Sequence, residues 1–386
     1  MIERRRAKVA LWQLGFRPFY LLASIFAALS IPLWVAQYAG WLAPYARGMV
    51  SHAHEMLFGY ALAVIAGFLL TAARNWTGQP TPTGRALVAL ALLWVVGRVL
   101  AFTPWSTAAA IVSAAFPLGV AAGLAIPLVK SGNRRNYFFV ALLGAFALAA
   151  LTLHLSYAGV LAWPEHLSLV AGLDLVLFVI AVIGGRVIPM FTNNGIPGTH
   201  ATRRPLIEGL ALGSILVLLA AEVLQAPEAF VGLVAIAGAT AHLIRLYLWQ
   251  PWRTVRTPLV WVLHASYAWI VVYLALRALA AWGLVAATFA THALTIGAIG
   301  GMTIGMMTRT ARGHTGRPLI ADRFEVACYA LIQAAAAIRV FGGMLLPRFY
   351  VATVIASAAC WSAGFAIYAI RYWSILTRER LDGKPG

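Results

Sequence analysis

Long apolar runs divide the chain almost from end to end. Twelve of them fall near 18–39, 53–73, 86–103, 107–129, 137–162, 166–190, 206–225, 228–249, 259–282, 287–308, 324–346 and 349–376. A helix rises about 1.5 Å per residue, so about 20 apolar residues cross the hydrocarbon core of a bilayer. These runs are apolar all round, whereas a helix of a soluble protein carries its apolar residues in one stripe. The pattern predicts an all-α polytopic bundle of about twelve transmembrane helices. Connections are short, and those at 77–82, 193–198 and 313–318 are Gly/Pro turns. Residues 1–386 therefore read as one transmembrane helical domain with short termini, 1–17 and 377–386, and no internal repeat stands out.

Charge adds an orientation. Of the 29 Lys and Arg residues, 24 fall in alternate gaps between the runs, leaving Arg47, Arg98, Arg277, Arg339 and Arg348 toward the opposite side. Cations stay in cytoplasmic loops, so the chain reads as a multi-pass inner-membrane protein with both termini in the cytoplasm. A net charge of +18 on a soluble domain would suggest nucleic acid. Here only 10% of residues are charged and the cations mark topology, so the expected partner is the lipid bilayer and not nucleic acid. Arg4, Arg5 and Arg6 precede an apolar run too long for a signal-peptide core, which reads as an uncleaved first helix. Cys328 and Cys360 both fall inside runs, without metal-finger or haem-attachment spacing.

Ionisable side chains at membrane depth point to function. Toward the periplasmic side stand His52 and His54 at the start of the second run, His154 in the fifth, Asp174 in the sixth and His292 in the tenth. Toward the cytoplasm stand His242 in the eighth and His264 in the ninth, on runs joined by one short loop. Neutral imidazole binds copper and haem iron without bringing net charge into the bilayer. Carboxylates are few, which favours redox metal over ion-coupled transport. His52, His54, His154 and His292 are accordingly the candidate metal ligands of one periplasmic-half site. His242 and His264 are candidate haem ligands. Arg98, Arg277 and Arg339 are candidate partners for haem propionates, which guanidinium binds bidentately, and Arg245, Arg253 and Arg256 stand near the lower pair. Each histidine has a structural alternative as a helix-to-helix hydrogen bonder, and each arginine as a snorkelling side chain.

Spacing adds two constraints. Residues two apart on a helix point about 200° apart. So either the 51–55 segment is a non-helical lead-in, or His52 and His54 serve different partners; the structural alternative is a polar helix start with Ser51 as its N-cap. Met56 shares the face of His52 and offers a soft thioether to Cu(I). In the tenth run Gly297, Gly301 and Gly305 form a ridge of spacing four that seats a neighbouring helix. His292 points away from that ridge.

Several segments together resemble one family. Gly15-Phe16-Arg17-Pro18-Phe19, His52-Ala53-His54-Glu55-Met56-Leu57-Phe58-Gly59, Gly67-Phe68-Leu69-Leu70-Thr71-Ala72 and Asn75-Trp76-Thr77-Gly78 are similar to the NnrS family. So are Gly185-Arg186-Val187-Ile188-Pro189-Met190-Phe191-Thr192, His292-Ala293-Leu294-Thr295-Ile296-Gly297 and Gly313-His314-Thr315-Gly316-Arg317-Pro318. The resemblance implies a bacterial inner-membrane protein with haem and copper cofactors, linked to nitric oxide, denitrification and protection from nitrosative stress. Nitric oxide would be its small-molecule partner, and a quinol or redox protein its electron donor if the chemistry is reductive. The alternative is a twelve-helix transporter or metal carrier whose histidine layers bind a passing substrate.

Overall fold

The computed structural model describes residues 10–43 and 49–384. Arg4, Arg5, Arg6, Lys8 and Arg47, all part of the charge pattern, lie outside the described residues. Among the described residues twelve long helical rods follow one another: α1 (Phe16–Tyr38), α2 (Val50–Thr77), α3 (Gly84–Leu100), α4 (Ser106–Lys130), α5 (Phe138–Tyr157), α6 (Glu165–Gly195), α7 (Pro205–Val223), α8 (Glu228–Leu248), α9 (Pro258–Ala281), α10 (Ala287–His314), α11 (Arg323–Leu345) and α12 (Tyr350–Thr377). Eleven rods are long and apolar enough to cross a membrane. The exception, α3, has 17 residues and rises about 25 Å. Leu29, Leu92, Ile111, Leu148, Leu233 and Leu243 stand exposed on the outside of the bundle, where acyl chains would cover them.

Packing order discloses a repetition that the apolar pattern concealed. Helices consecutive across unit boundaries pack closely: α4 on α5, α8 on α9, and α12 on α1. The chain thus forms three four-helix units, 16–130, 138–248 and 258–377, in which the last helix of each packs on the first of the next and the ring closes. Short sequence marks repeat in step. Thr83-Gly84-Arg85-Ala86-Leu87, Thr202-Arg203-Arg204-Pro205-Leu206 and Thr315-Gly316-Arg317-Pro318-Leu319 each lead into the third helix of a unit. In the second helices His54, His166 and His292 each stand 20 residues before an arginine, namely Arg74, Arg186 and Arg312. The expectation of no repeat is corrected. The shared residues are few and sit at turns and helix ends, while the apolar positions between them are interchangeable.

Ring closure explains Arg17, which the charge pattern assigned to a loop. It lies in the first turn of α1, fully buried, and its Nη1 donates to the carbonyls of Leu376 at 2.9 Å and Arg378 at 2.8 Å. A cation there meets the negative end of the α12 dipole. The glycine ridge of α10 behaves as its spacing predicted. A Cβ on Gly297 would lie 2.3 Å from Trp269, one on Gly301 2.3 Å from Ser266, and one on Gly305 2.9 Å from Val262 and Leu263, all on α9. The absence of side chains lets α10 lie directly on α9.

Three of the rods are locally widened. π-Helical stretches occupy Glu55–Ala61 in α2, Ala293–Gly300 in α10 and Ile338–Gly342 in α11. The first begins beside His54, the second beside His292, and the third contains Arg339. Such bulges rotate side chains out of α-helical register and concentrate at functional sites.

Candidate functional site

The helix runs straight through His52 and His54, so Ser51 is not a cap and the two rings diverge. His52 and Met56 turn toward a cavity of about 380 Å³, which also receives His292, Arg339 and, at its rim, the exposed His166. Trp34, Leu57, Leu173, Ile296 and Trp361 give it an apolar wall. His52 stacks on Trp34 with ring centroids 4.3 Å apart. His292 Nδ1 donates to the Thr288 carbonyl at 2.6 Å, one helical turn back. That bond fixes the tautomer and leaves Nε2 as the bare acceptor. Arg339 is buried, donates from Nη2 to the Tyr350 hydroxyl at 2.8 Å, and has no partner for Nη1.

His54 faces the other way, into a closed nest between α2, α3, α4 and α5. Its Nδ1 donates to Glu55 Oε1 at 2.7 Å, and the same oxygen accepts from Arg98 Nη1 at 2.7 Å. His154 from α5 brings its Nε2 to 3.1 Å from His54 Nε2 and 3.1 Å from Ser113 Oγ. All of these side chains are buried. A ring whose Nδ1–H is held by a carboxylate presents Nε2 outward, the arrangement that orients metal-ligating histidines. The four candidate ligands of the upper layer are therefore not brought to one point. They form two pairs on opposite faces of α2, His52 with His292 and His54 with His154. Among the described residues no group of three or more His, Cys, Asp or Glu side chains converges to hold a metal.

The lower layer is organised differently. Both nitrogens of His242 are engaged. Nε2 donates to the Ala211 carbonyl at 3.0 Å, so Nδ1 accepts from the Tyr267 hydroxyl at 2.6 Å. Tyr267 in turn accepts from Arg245, which also grips Glu208 with two bonds of 2.8 and 2.7 Å. No lone pair of His242 remains for iron, and Arg245 is not open to a propionate. His264 instead meets Thr192 Oγ1 at 2.8 Å, and its Nδ1 is buried without a partner. His242 and His264 do not share a ligand position. The three upper arginines also separate. Arg98 is held by Glu55 and Arg277 by Glu222, leaving Arg339 alone facing the cavity.

Glu55, Ser113, Thr288, Tyr267 and Tyr350 were not among the candidates. Thr288 was legible, since it precedes His292 by one turn, and Glu55 adjoins His54 in the sequence. Ser113, Tyr267 and Tyr350 carry no local signal.

The fold and these nests define a multi-pass helical membrane protein with imidazoles gathered at two places in one half of the bundle. The chain belongs to the NnrS family: the family model, described as NnrS protein, matches residues 10–380. No curated protein matches it.

Proposed function

We propose that the chain is a haem- and copper-binding protein of the bacterial inner membrane that acts on nitric oxide, with both termini in the cytoplasm. The observation that carries this reading is the division of His52 and His54 between two nests of different shape. The cavity, at about 380 Å³, falls within the range of about 300–1,000 Å³ typical of small-molecule sites. Its apolar wall, the unshared Nε2 of His292, the stacked His52 and the unpaired Arg339 Nη1 suit a flat apolar macrocycle carrying iron and acidic edge groups. The closed nest suits a single ion. Two nitrogens each about 2.0–2.1 Å from one metal lie roughly 3–4 Å apart, and the His54 and His154 Nε2 atoms are 3.1 Å apart.

Bound there, haem iron and copper would supply one-electron redox chemistry and an open position for a diatomic gas. The protein's own part is preorganisation. Thr288 and Glu55 fix the tautomers of His292 and His54, Arg98 balances the Glu55 charge, and Arg339 would hold an acidic group of the haem. Nitric oxide is small and uncharged and reaches such sites through the lipid, while a quinol or redox partner supplies electrons.

An absorption spectrum and a metal assay on the purified protein test the reading. The wild type should show a Soret band and copper. His52→Ala and His292→Ala should lose haem and keep copper, and His54→Ala and His154→Ala should do the reverse. A colourless, metal-free wild type would overturn it and return the cavity to a transported substrate.

A further inference from the structure

The three four-helix units leave three corresponding junctions, each beside the second and third helices of one unit and the first helix of the next. At the first junction α2, α3 and α5 hold His54, Glu55, Arg98 and His154. At the third, α10, α11 and α1 line the cavity with His292, Arg339 and Trp34. The second junction lies between α6, α7 and α9, at the same end of the bundle. It carries Asp174 on α6, Glu222 at the end of α7, and Tyr273 and Arg277 on α9, with Glu228 in the first turn of α8. No imidazole stands among these groups, and the proposed haem and copper reading makes no use of them.

Charge at this junction does not balance. Arg277 is hydrogen-bonded to Glu222, and its Nη1 lies 3.6 Å from Glu228 Oε2. Asp174 is 2% exposed, and its Oδ2 has no hydrogen-bond partner. An ionised carboxylate persists in an apolar interior only with hydrogen bonds or a cation of its own. Asp174 and Glu222 together face one guanidinium, so the buried set carries one surplus negative charge when both are ionised. One proton removes it. A metal cation fits poorly beside the guanidinium, and the described carboxylates do not converge on a metal position. Exposure is graded: the Glu228 side chain is 64% exposed, that of Glu222 19%, and Asp174 almost closed off.

We propose that the second junction is a proton-binding site, in which Asp174 holds an exchangeable proton, Glu222 and Glu228 connect it to the surface, and Arg277 fixes the surrounding charge. The proton adds to a carboxylate oxygen and leaves as hydronium, with no other bond made or broken. The inference is independent of haem and copper and holds for metal-free protein.

Infrared spectroscopy of the full-length protein in lipid nanodiscs tests it directly. At neutral pH the wild type should show the C=O stretch of a protonated carboxylic acid, shifting on exchange into D2O. Asp174→Asn, which is close in shape to the neutral acid, should abolish that band. Asp174→Glu, which retains an acid, should keep a band at an altered frequency. Glu228→Gln should keep the band and slow its exchange at least several-fold. Absence of the band in the wild type, insensitivity to D2O, or persistence unchanged in Asp174→Asn would each overturn the proposal.

Discussion

Replacing Glu55 by Gln tests the closed nest most sharply, because one carboxylate oxygen serves two donors. Oε1 accepts from both His54 Nδ1 and Arg98 Nη1 at 2.7 Å, while Oε2 has no partner. An amide can keep both acceptor bonds through its oxygen, so geometry changes little, but the charge disappears. At an effective dielectric of about 20, unit charges at that separation attract by about 6 kcal/mol. Desolvation offsets part of this, and breaking a buried pair from one side costs about 3–5 kcal/mol. The side chains of Arg98 and Glu55 are 9% and 6% exposed, so screening by water does not discount the figure much. We expect Glu55→Gln to lower stability by about 3–5 kcal/mol and to weaken Cu(I) binding by about 10–100-fold, the usual effect of removing an outer-shell partner. Adding Arg98→Met removes the stranded cation, and the double variant should be more stable than Glu55→Gln alone. Equilibrium unfolding in mixed micelles and competition against a Cu(I) chelator provide the two readouts. Unchanged stability in Glu55→Gln, or a double variant at the sum of the two single losses, would refute the buried-pair reasoning.

Three further outcomes follow from other parts of the bundle. A Cβ on Gly185 would lie 1.8 Å from Arg245 Nη2, so Gly185→Ala should expel Arg245 from Glu208 and cost about 3 kcal/mol or more, read as a lowered melting temperature. His242→Ala should leave haem and copper content at the wild-type level. It should still lower stability by about 1–3 kcal/mol, because the Ala211 carbonyl and Tyr267 hydroxyl lose a buried partner; loss of the haem spectrum would contradict the hydrogen-bond assignment. Asp322 caps α11, and although burial pushes its carboxyl up, bonds from the Glu325 backbone, the Arg371 side chain and the Phe324 backbone hold it below the ordinary value. A depressed carboxyl stabilises fully above its unfolded value, about 3.9, and that contribution is lost as pH falls through the folded value. Asp322→Ala should therefore cost about 1 kcal/mol at neutral pH, a cost that shrinks as pH falls through the folded value in melting curves taken from neutral into acid.

How far the sequence reaches is clearest in α2 and α10. Helix boundaries came within a few residues along most of the chain, because crossing hydrocarbon demands a long apolar run whatever the neighbours are. The glycine ridge of α10 and the divergence of His52 from His54 were equally legible, since both follow from helical angles within one segment. Membership of the NnrS family was legible too, because its short motifs keep their order along the chain.

What depends on neighbours was not legible. The depths of His52, His54, His154 and His292 overlap, yet depth along a helix says nothing about azimuth, and the bundle divides them into two pairs. His242 looked like a ligand until the Ala211 carbonyl and the Tyr267 hydroxyl, 31 and 25 residues away, took both of its nitrogens. The three arginines looked alike until Glu55 and Glu222 claimed two of them. The π-helical turns beside His54, His292 and Arg339 leave no mark in composition. Local periodicity determined which segments are helices and which residues share a face, because those depend on one backbone alone. Which faces meet, which polar groups are already satisfied and where a cavity remains were decided only when the twelve helices closed into a ring, because a buried polar group's role is set by the partners packing brings to it.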